Sequence, residues 1–329
     1  MTKPNSKSSW IADWFGEATS AWESFWFTPR APHTLAALRI VTGLMIAYVH
    51  LIWLSQVSAF FGPTAWVDGT TNRVLHSGDY SWSYLAYVSD TRIAAAHECL
   101  AIAVGLCMAA GFLSRVTMPL AWFLTLMVCH RQTGALFGLD QVVMMSSMYL
   151  MFSRAGSAFG VDAKIASVRG NSFMRPSADP AISNNIATRL LQLHLCIVYL
   201  FGGISKMRGD QWWEGSAMWW SIANYEYQSL DVTWLGRSPL LIALFTHVTL
   251  FWETFYPALV WPRLTRPIVL LCAVLVHGGI ALFLGMPTFG IMMIAVNGAF
   301  IEPEMTARVF RFISSRLMKQ QTQTSEATA

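Results

Sequence analysis

Apolar blocks alternate with short polar connections along most of the chain, and most are long enough to cross a bilayer as helices. A crossing helix needs about 20 residues. Blocks of that order run at Thr34–Gln56, Arg92–Leu113, Val116–Phe137, Pro239–Trp261 and Arg266–Leu284, with shorter ones at Leu139–Phe152 and Pro287–Ile301. Together with a helix that starts near Arg189 and ends near Lys206, the pattern predicts an all-α, polytopic transmembrane helical bundle of about eight spans. Longer polar stretches lie between the first and second blocks, at Arg154–Asn185, and from Lys206 to Arg237. Ahead of the bundle, Trp10, Ile11, Trp14, Phe15, Ala18, Trp22, Phe25 and Trp26 recur at helical spacing, with Asp13, Glu17 and Ser24 between them. That pattern predicts an amphipathic helix lying in the membrane surface and ended by Pro29 and Pro32, with a partner-binding helix as the alternative. Residues 1–9 read as polar and disordered, so the chain divides into 1–30 (tail and interfacial helix), 31–302 (bundle) and 303–329 (polar tail).

Two of these blocks are not uniformly apolar. Arg189, Gln192, Cys196, Tyr199, Gly203 and Lys206 follow at helical spacing and share one face. Hydrocarbon cannot satisfy the polar groups of that face, so it should turn into the bundle or a watery cavity. Lys206, at its end and just before Trp212 and Trp213, is either an anchor that snorkels to the interface or an ionisable residue at a functional site. Thr246, Thr249, Glu253 and Tyr256 form a second stripe of the same kind. A mid-span glutamate must be protonated, paired or beside water, and Arg189 and Lys206 are both partners of the right type. His277 precedes Gly278 and Gly279, which invites close approach of a flat ligand or another helix. His130, Arg131 and Asp140 fall at the outer end of their spans. His97 and Glu98 are adjacent, point in different directions and are not expected to share a site. His33, His50, His76, His194 and His247 form no ligand spacing, and no H-E-x-x-H, P-loop or dinucleotide turn occurs, so no metal site is expected.

Composition agrees with a membrane protein: 54% of the 329 residues are hydrophobic and only 12% charged, about half the charge of a soluble domain. The net charge of +4 is spread over short loops and gives no nucleic-acid signal. The five cysteines lie in apolar segments without a C-x-x-C and read as packing residues. Basic residues orient the bundle. Arg30, Arg115, Arg154, Lys164, Arg169, Arg175, Arg263, Arg266 and the tail arginines fall on the side of the N-terminus, against Arg73, Arg92, Arg131, Arg208 and Arg237 on the other. The expectation is a multi-pass protein of the cell membrane with both termini cytoplasmic and Lys206 opening outward.

The stretch YLFGGISKMRGDQWWEGSA (Tyr199–Ala217) resembles the corresponding segment of the vitamin K-dependent γ-glutamyl carboxylases. It is also similar to their bacterial relatives with the HTTM (horizontally transferred transmembrane) domain. FTPRAPHTLAALRIVTGL (Phe27–Leu44) and VHGGIALFLGMPTFG (Val276–Gly290) extend the resemblance over nearly the whole chain. Leu139-Asp140 stands where the carboxylases carry Asn-His, and Gly278, Gly279 and Ile280 replace polar residues after His277. The resemblance implies that Lys206 is the base that deprotonates reduced vitamin K, a menaquinol-like quinone. The oxygenated quinol would then remove a γ-proton from glutamate in a protein or peptide substrate before CO2 adds. Tyr199, Trp213, Glu253, Tyr256 and His277 would orient the quinone or Lys206, with His130 and Asp140 at the mouth. The contrasting expectation is a non-enzymatic membrane protein that binds a lipid or quinone, or partners another membrane protein.

Overall fold

The computed structural model describes residues 6–327, and the regular elements among them are helices, without a β-strand. Helix α1 (Ser6–Phe27) precedes α2 (His33–Ser55), and the short α3 (Val57–Phe61) and α4 (Gly69–Leu75) lead to α5 (Thr91–Ala110) and α6 (Ser114–Arg131). Then come α7 (Gly138–Leu150), α8 (Val161–Arg169) and α9 (Ile182–Lys206), followed by the small α10 (Asp210–Trp213) and α11 (Ala217–Ile222). Helices α12 (Pro239–Leu259), α13 (Arg266–Phe283), α14 (Pro287–Asn297) and α15 (Pro303–Ala327) complete the chain. Four of them, α2, α5, α9 and α13, are long and apolar enough to cross a membrane. Their outward faces carry exposed Leu44, Leu51, Ile52, Leu106, Phe201, Leu271 and Leu275, the surface that lipid, rather than water, accommodates.

Most blocks read from the sequence match a helix within a few residues, and the differences have local causes. The third block stops at Arg131 rather than Phe137, because Gln132 leaves helical geometry and donates its side-chain amide to the Phe60 carbonyl at 2.6 Å. Helix α9 begins at Ile182, seven residues before Arg189, where Ala181 pairs with Arg30 in an isolated β-bridge. The stretch Arg154–Asn185 contains α8, and Asp162 in it accepts from the Leu113 and Ser114 N–H groups at 3.0 and 2.8 Å, capping α6. The polar tail is helical from Pro303 and packs on α2, with Phe310 stacked on Phe159 at 4.0 Å. The disorder expected over residues 1–9 fails at Ser6, where α1 begins; residues 1–5 lie outside the described ones. Along α1 the side chains from Trp10 to Ser24 are all exposed, and only Phe25 and Trp26 at its end pack against the bundle.

Two close helix contacts organise the bundle. Helices α2 and α5 run antiparallel and make the most extensive contact in the molecule. They meet backbone to backbone, since a Cβ on Gly43 would fall 2.6 Å from the Ala109 nitrogen, and one on Gly105 3.0 Å from that of Ala47. Helices α9 and α12 meet likewise at Gly203, where a Cβ would fall 2.8 Å from the Thr254 nitrogen. The Arg30–Ala181 bridge sets the starts of α2 and α9 side by side. The last turns of α2 and α9, with His50 and Lys206, therefore lie towards the opposite end of the bundle. Arg39, fully buried, seals the near end by donating to the Phe159 carbonyl at 2.8 Å and packing on Gly111 and Gly160.

Gly43→Ala should lower the thermal midpoint in detergent, because a methyl there meets backbone that has nowhere to go, at a cost of about 1–3 kcal/mol. Gly278→Ala, with nothing within 4 Å of its Cβ, should melt at or slightly above wild type. Equal midpoints for the two variants would contradict the close α2–α5 contact.

Candidate functional site

The α9 stripe turns inward as expected: Gln192, Cys196, Tyr199 and Gly203 are buried, and so are Thr246, Glu253 and Tyr256 of α12. Where the two stripes cross, the Lys206 Nζ lies 2.6 Å from Glu253 Oε2. Between Arg189 and Lys206, the partner of Glu253 is thus Lys206. Arg189, near the other end of α9, bonds the Phe25 carbonyl and Gln192 Oε1 and lies over the Phe25 ring. Gly202 makes the room, since a Cβ there would stand 3.2 Å from Glu253 Oε2. The pair is only partly enclosed, with 27% of the lysine side chain and 11% of the glutamate exposed.

One turn deeper, a chain of hydrogen bonds links four helices. Tyr199 Oη lies 2.7 Å from His277 Nε2, Asn297 Nδ2 donates to Tyr199 Oη at 2.8 Å, and Tyr256 Oη donates to Asn297 Oδ1 at 2.7 Å. The rings of Tyr199 and Tyr256 lie 4.2 Å apart, with Trp252 against the edge of both. His277 Nδ1 is buried and has no partner among the described residues. Close approach does occur at His277, but through α14 rather than Gly278 and Gly279: a Cβ on Gly290 would fall 2.4 Å from the His277 carbonyl. Asn297 escaped the sequence reading; a lone amide in the otherwise apolar Pro287–Ile301 block was the signal.

At the mouth, the ring that covers Lys206 is Trp212, 5.4 Å from its ammonium. Trp213, expected there, is half exposed and donates its indole N–H to the Met207 carbonyl at 2.7 Å. Trp212 is also a wall of an open pocket of about 320 Å³, shared with Trp220, Ser221, Asn224 and Tyr227. Asp140 and His130 make local bonds instead of joining the lysine cluster. Asp140 caps its own helix by accepting from the Phe137 N–H at 2.8 Å, and His130 Nδ1 lies 2.9 Å from the Trp82 carbonyl. The structure therefore gathers Lys206, Glu253, Tyr199, Tyr256 and His277, and leaves Trp213, His130 and Asp140 outside their hydrogen bonds.

A second polar cluster contradicts the reading of the histidines. His50 Nδ1 stands 2.6 Å from Glu98 Oε2, and His97 and Glu98, adjacent in sequence, do share a site. Adjacent helical positions diverge by about 100°, yet the glycine contact brings α2 so near that His50 reaches between them.

Matched against known families, residues 27–305 fit the HTTM domain. No curated protein and no solved structure matches the chain. The match takes in α2 to α14, every helix that holds the two clusters. With its apolar, outward-facing helices, the chain is an integral membrane protein that belongs to the HTTM domain family.

Proposed function

We propose that the Lys206–Glu253 pair is the proton-transfer centre of a quinol-dependent, carboxylase- or epoxidase-type reaction at the outward end of the bundle. The observation that carries this reading is the position of Lys206, 2.6 Å from a carboxylate and beneath Trp212, a wall of the mouth pocket. A lysine acts as a base only while its amine is uncharged. Glu253 Oε2 stands where it can hold the lysine's proton, leaving the amine lone pair to take one from a bound hydroxyl. The Tyr199, Asn297, Tyr256 and His277 chain supports this by holding α9, α12, α13 and α14 in fixed register below the pair. The pocket's volume lies within the range of about 300–1,000 Å³ usual for ligand sites, and its tryptophan walls suit stacking of a two-ring aromatic group. A reduced naphthoquinone of the vitamin K type would supply an acidic hydroxyl and, with oxygen, the strong base that the carboxylase resemblance implies. Glutamate in a protein or peptide is the substrate that resemblance implies.

The reading includes the topology. Helices α2, α5, α6, α7, α9, α12, α13 and α14 are the eight spans, α1 lies in the inner membrane surface, and the segments before residue 31 and after 302 are cytoplasmic. In a cysteine-free background, Tyr80→Cys and Glu226→Cys should react with an impermeant maleimide in intact cells, and Ser167→Cys should not. Asn72, in the same polar stretch, is buried and donates to the Arg131 carbonyl, so a cysteine there would stay unlabelled. Labelling at Ser167 in intact cells would reverse the orientation.

The ion pair itself also supports a second reading, a structural cross-link in a lipid- or quinone-binding protein without catalysis. Melts of Lys206→Met, Glu253→Gln and the double variant should give a coupling of about 0.5–3 kcal/mol, and strict additivity would mean that the two do not interact. Catalysis separates the readings. Given reduced menaquinone-4 and oxygen, the purified protein should form quinone epoxide, and Lys206→Met should lower that rate at least ~100-fold, the usual worth of a general base. A wild-type protein that forms no epoxide and co-purifies with no quinone by mass spectrometry of its lipids would leave only the structural reading.

A further inference from the structure

We infer that His50, His97 and Glu98 form a binding site for a single divalent transition-metal ion of the zinc type, separate from the Lys206 centre. The three residues are buried, and each offers a ligand atom within 4.8 Å of the other two. Two histidines and a carboxylate, with a fourth position left over, are the donor set of open zinc sites.

The unpartnered buried atoms of the cluster argue for a cation. The single Thr125 hydroxyl proton can go to the Ala121 carbonyl at 2.9 Å or to His50 Nε2 at 3.1 Å. With that proton on the Ala121 side, His50 carries its own on Nε2, and a neutral ring turns the lone pair of Nδ1 towards Glu98 Oε2, 2.6 Å away. Lone pair facing carboxylate is repulsive unless a proton stands between them, or a metal ion once the two atoms part to about 3.3 Å, the span of two tetrahedral ligands. His97 Nδ1 is held by the Tyr84 hydroxyl, and its Nε2 is buried without a partner among the described residues. Glu98 Oε1 is likewise buried and unpartnered among the described residues. Each histidine thus has one ring nitrogen at an outer hydrogen bond and the other turned into the cluster, the support that metal-bound histidines receive. Buried polar atoms left without partners are costly in any fold, and one ion would satisfy both orphaned atoms.

The site sits at the end of the bundle where α2 finishes and α5 begins, beneath Tyr84, whose ring stacks on Phe123. Its ligands come from α2 and α5 alone, whereas the lysine cluster belongs to α9, α12, α13 and α14. Failure of either assignment therefore leaves the other untouched.

The test uses the full-length protein in detergent, stripped with a chelator and titrated with Co²⁺ alone. We expect visible d–d absorption that saturates at about one Co²⁺ per chain, displaced by Zn²⁺, with a higher melting temperature in either metal. Glu98→Gln and His97→Gln should lose the absorption and the metal-dependent rise in melting temperature, and His76→Asn, at a histidine outside the cluster, should keep both. Should the ligand variants fail to fold, the wild-type titration decides by itself. Absence of both saturable absorption and a metal-dependent melting shift would reduce the cluster to a proton-bridged His50–Glu98 pair and overturn the assignment.

Discussion

A polar side chain inside an apolar bundle has no water to turn to, so it must find its partner within the protein, and a long one finds it on another segment. Much of this molecule follows from that constraint. Arg39 reaches the Phe159 carbonyl, Gln192 donates to the Ala299 carbonyl at 2.9 Å, and Trp252 bonds the Val269 carbonyl at 3.1 Å. Each bond joins segments distant in sequence and fixes how their helices face one another. Apolar packing alone tolerates rotation and sliding of helices that present similar surfaces. Buried polar bonds do not, because a shift of a few ångströms leaves a group unsatisfied. The same demand produces both clusters: polar residues that cannot face lipid are driven together, and chemistry becomes available where they meet.

Glycine sets how near those meetings are. At Gly43 and Gly105 the α2 and α5 backbones touch, and at Gly202 and Gly203 α9 settles on α12. Both contacts lie within about two turns of an ionisable cluster. A short side chain such as that of His50 then spans the gap to Glu98, and Lys206 meets Glu253 directly. The small residues thus control the distance across which the polar residues act.

The helices and the two polar stripes were legible because each is a local pattern: length for the blocks, spacing for Tyr199, Gly203 and Lys206 or for Thr246, Glu253 and Tyr256. Pairing between stripes was legible only as chemical type. Nothing in the sequence separates Arg189 from Lys206 as the partner of Glu253, because the choice depends on the antiparallel register of α9 on α12. Trp212 and Trp213 could not be told apart for a related reason: the one-turn helix α10 decides which ring swings over the ammonium. The histidine cluster was illegible for a stronger reason. His50 stands 48 residues from Glu98, and spacing rules for ligands apply only within one element or one loop. Asn297 was within reach, since a solitary amide in an apolar helix must be bonded to something.

Pro257 lies inside α12, four residues after Glu253. Having no N–H, proline cannot close the rung that the peptide carbonyl of residue 253 would otherwise accept. The residue that faces Lys206 is therefore also the one whose own backbone is released from the helical ladder. A helix is most compliant at such a missing rung, so α12 flexes most readily at the carboxylate. The stiffness of α12 and the separation of its ion pair are consequently one mechanical variable, and whatever bends the helix also tunes the contact.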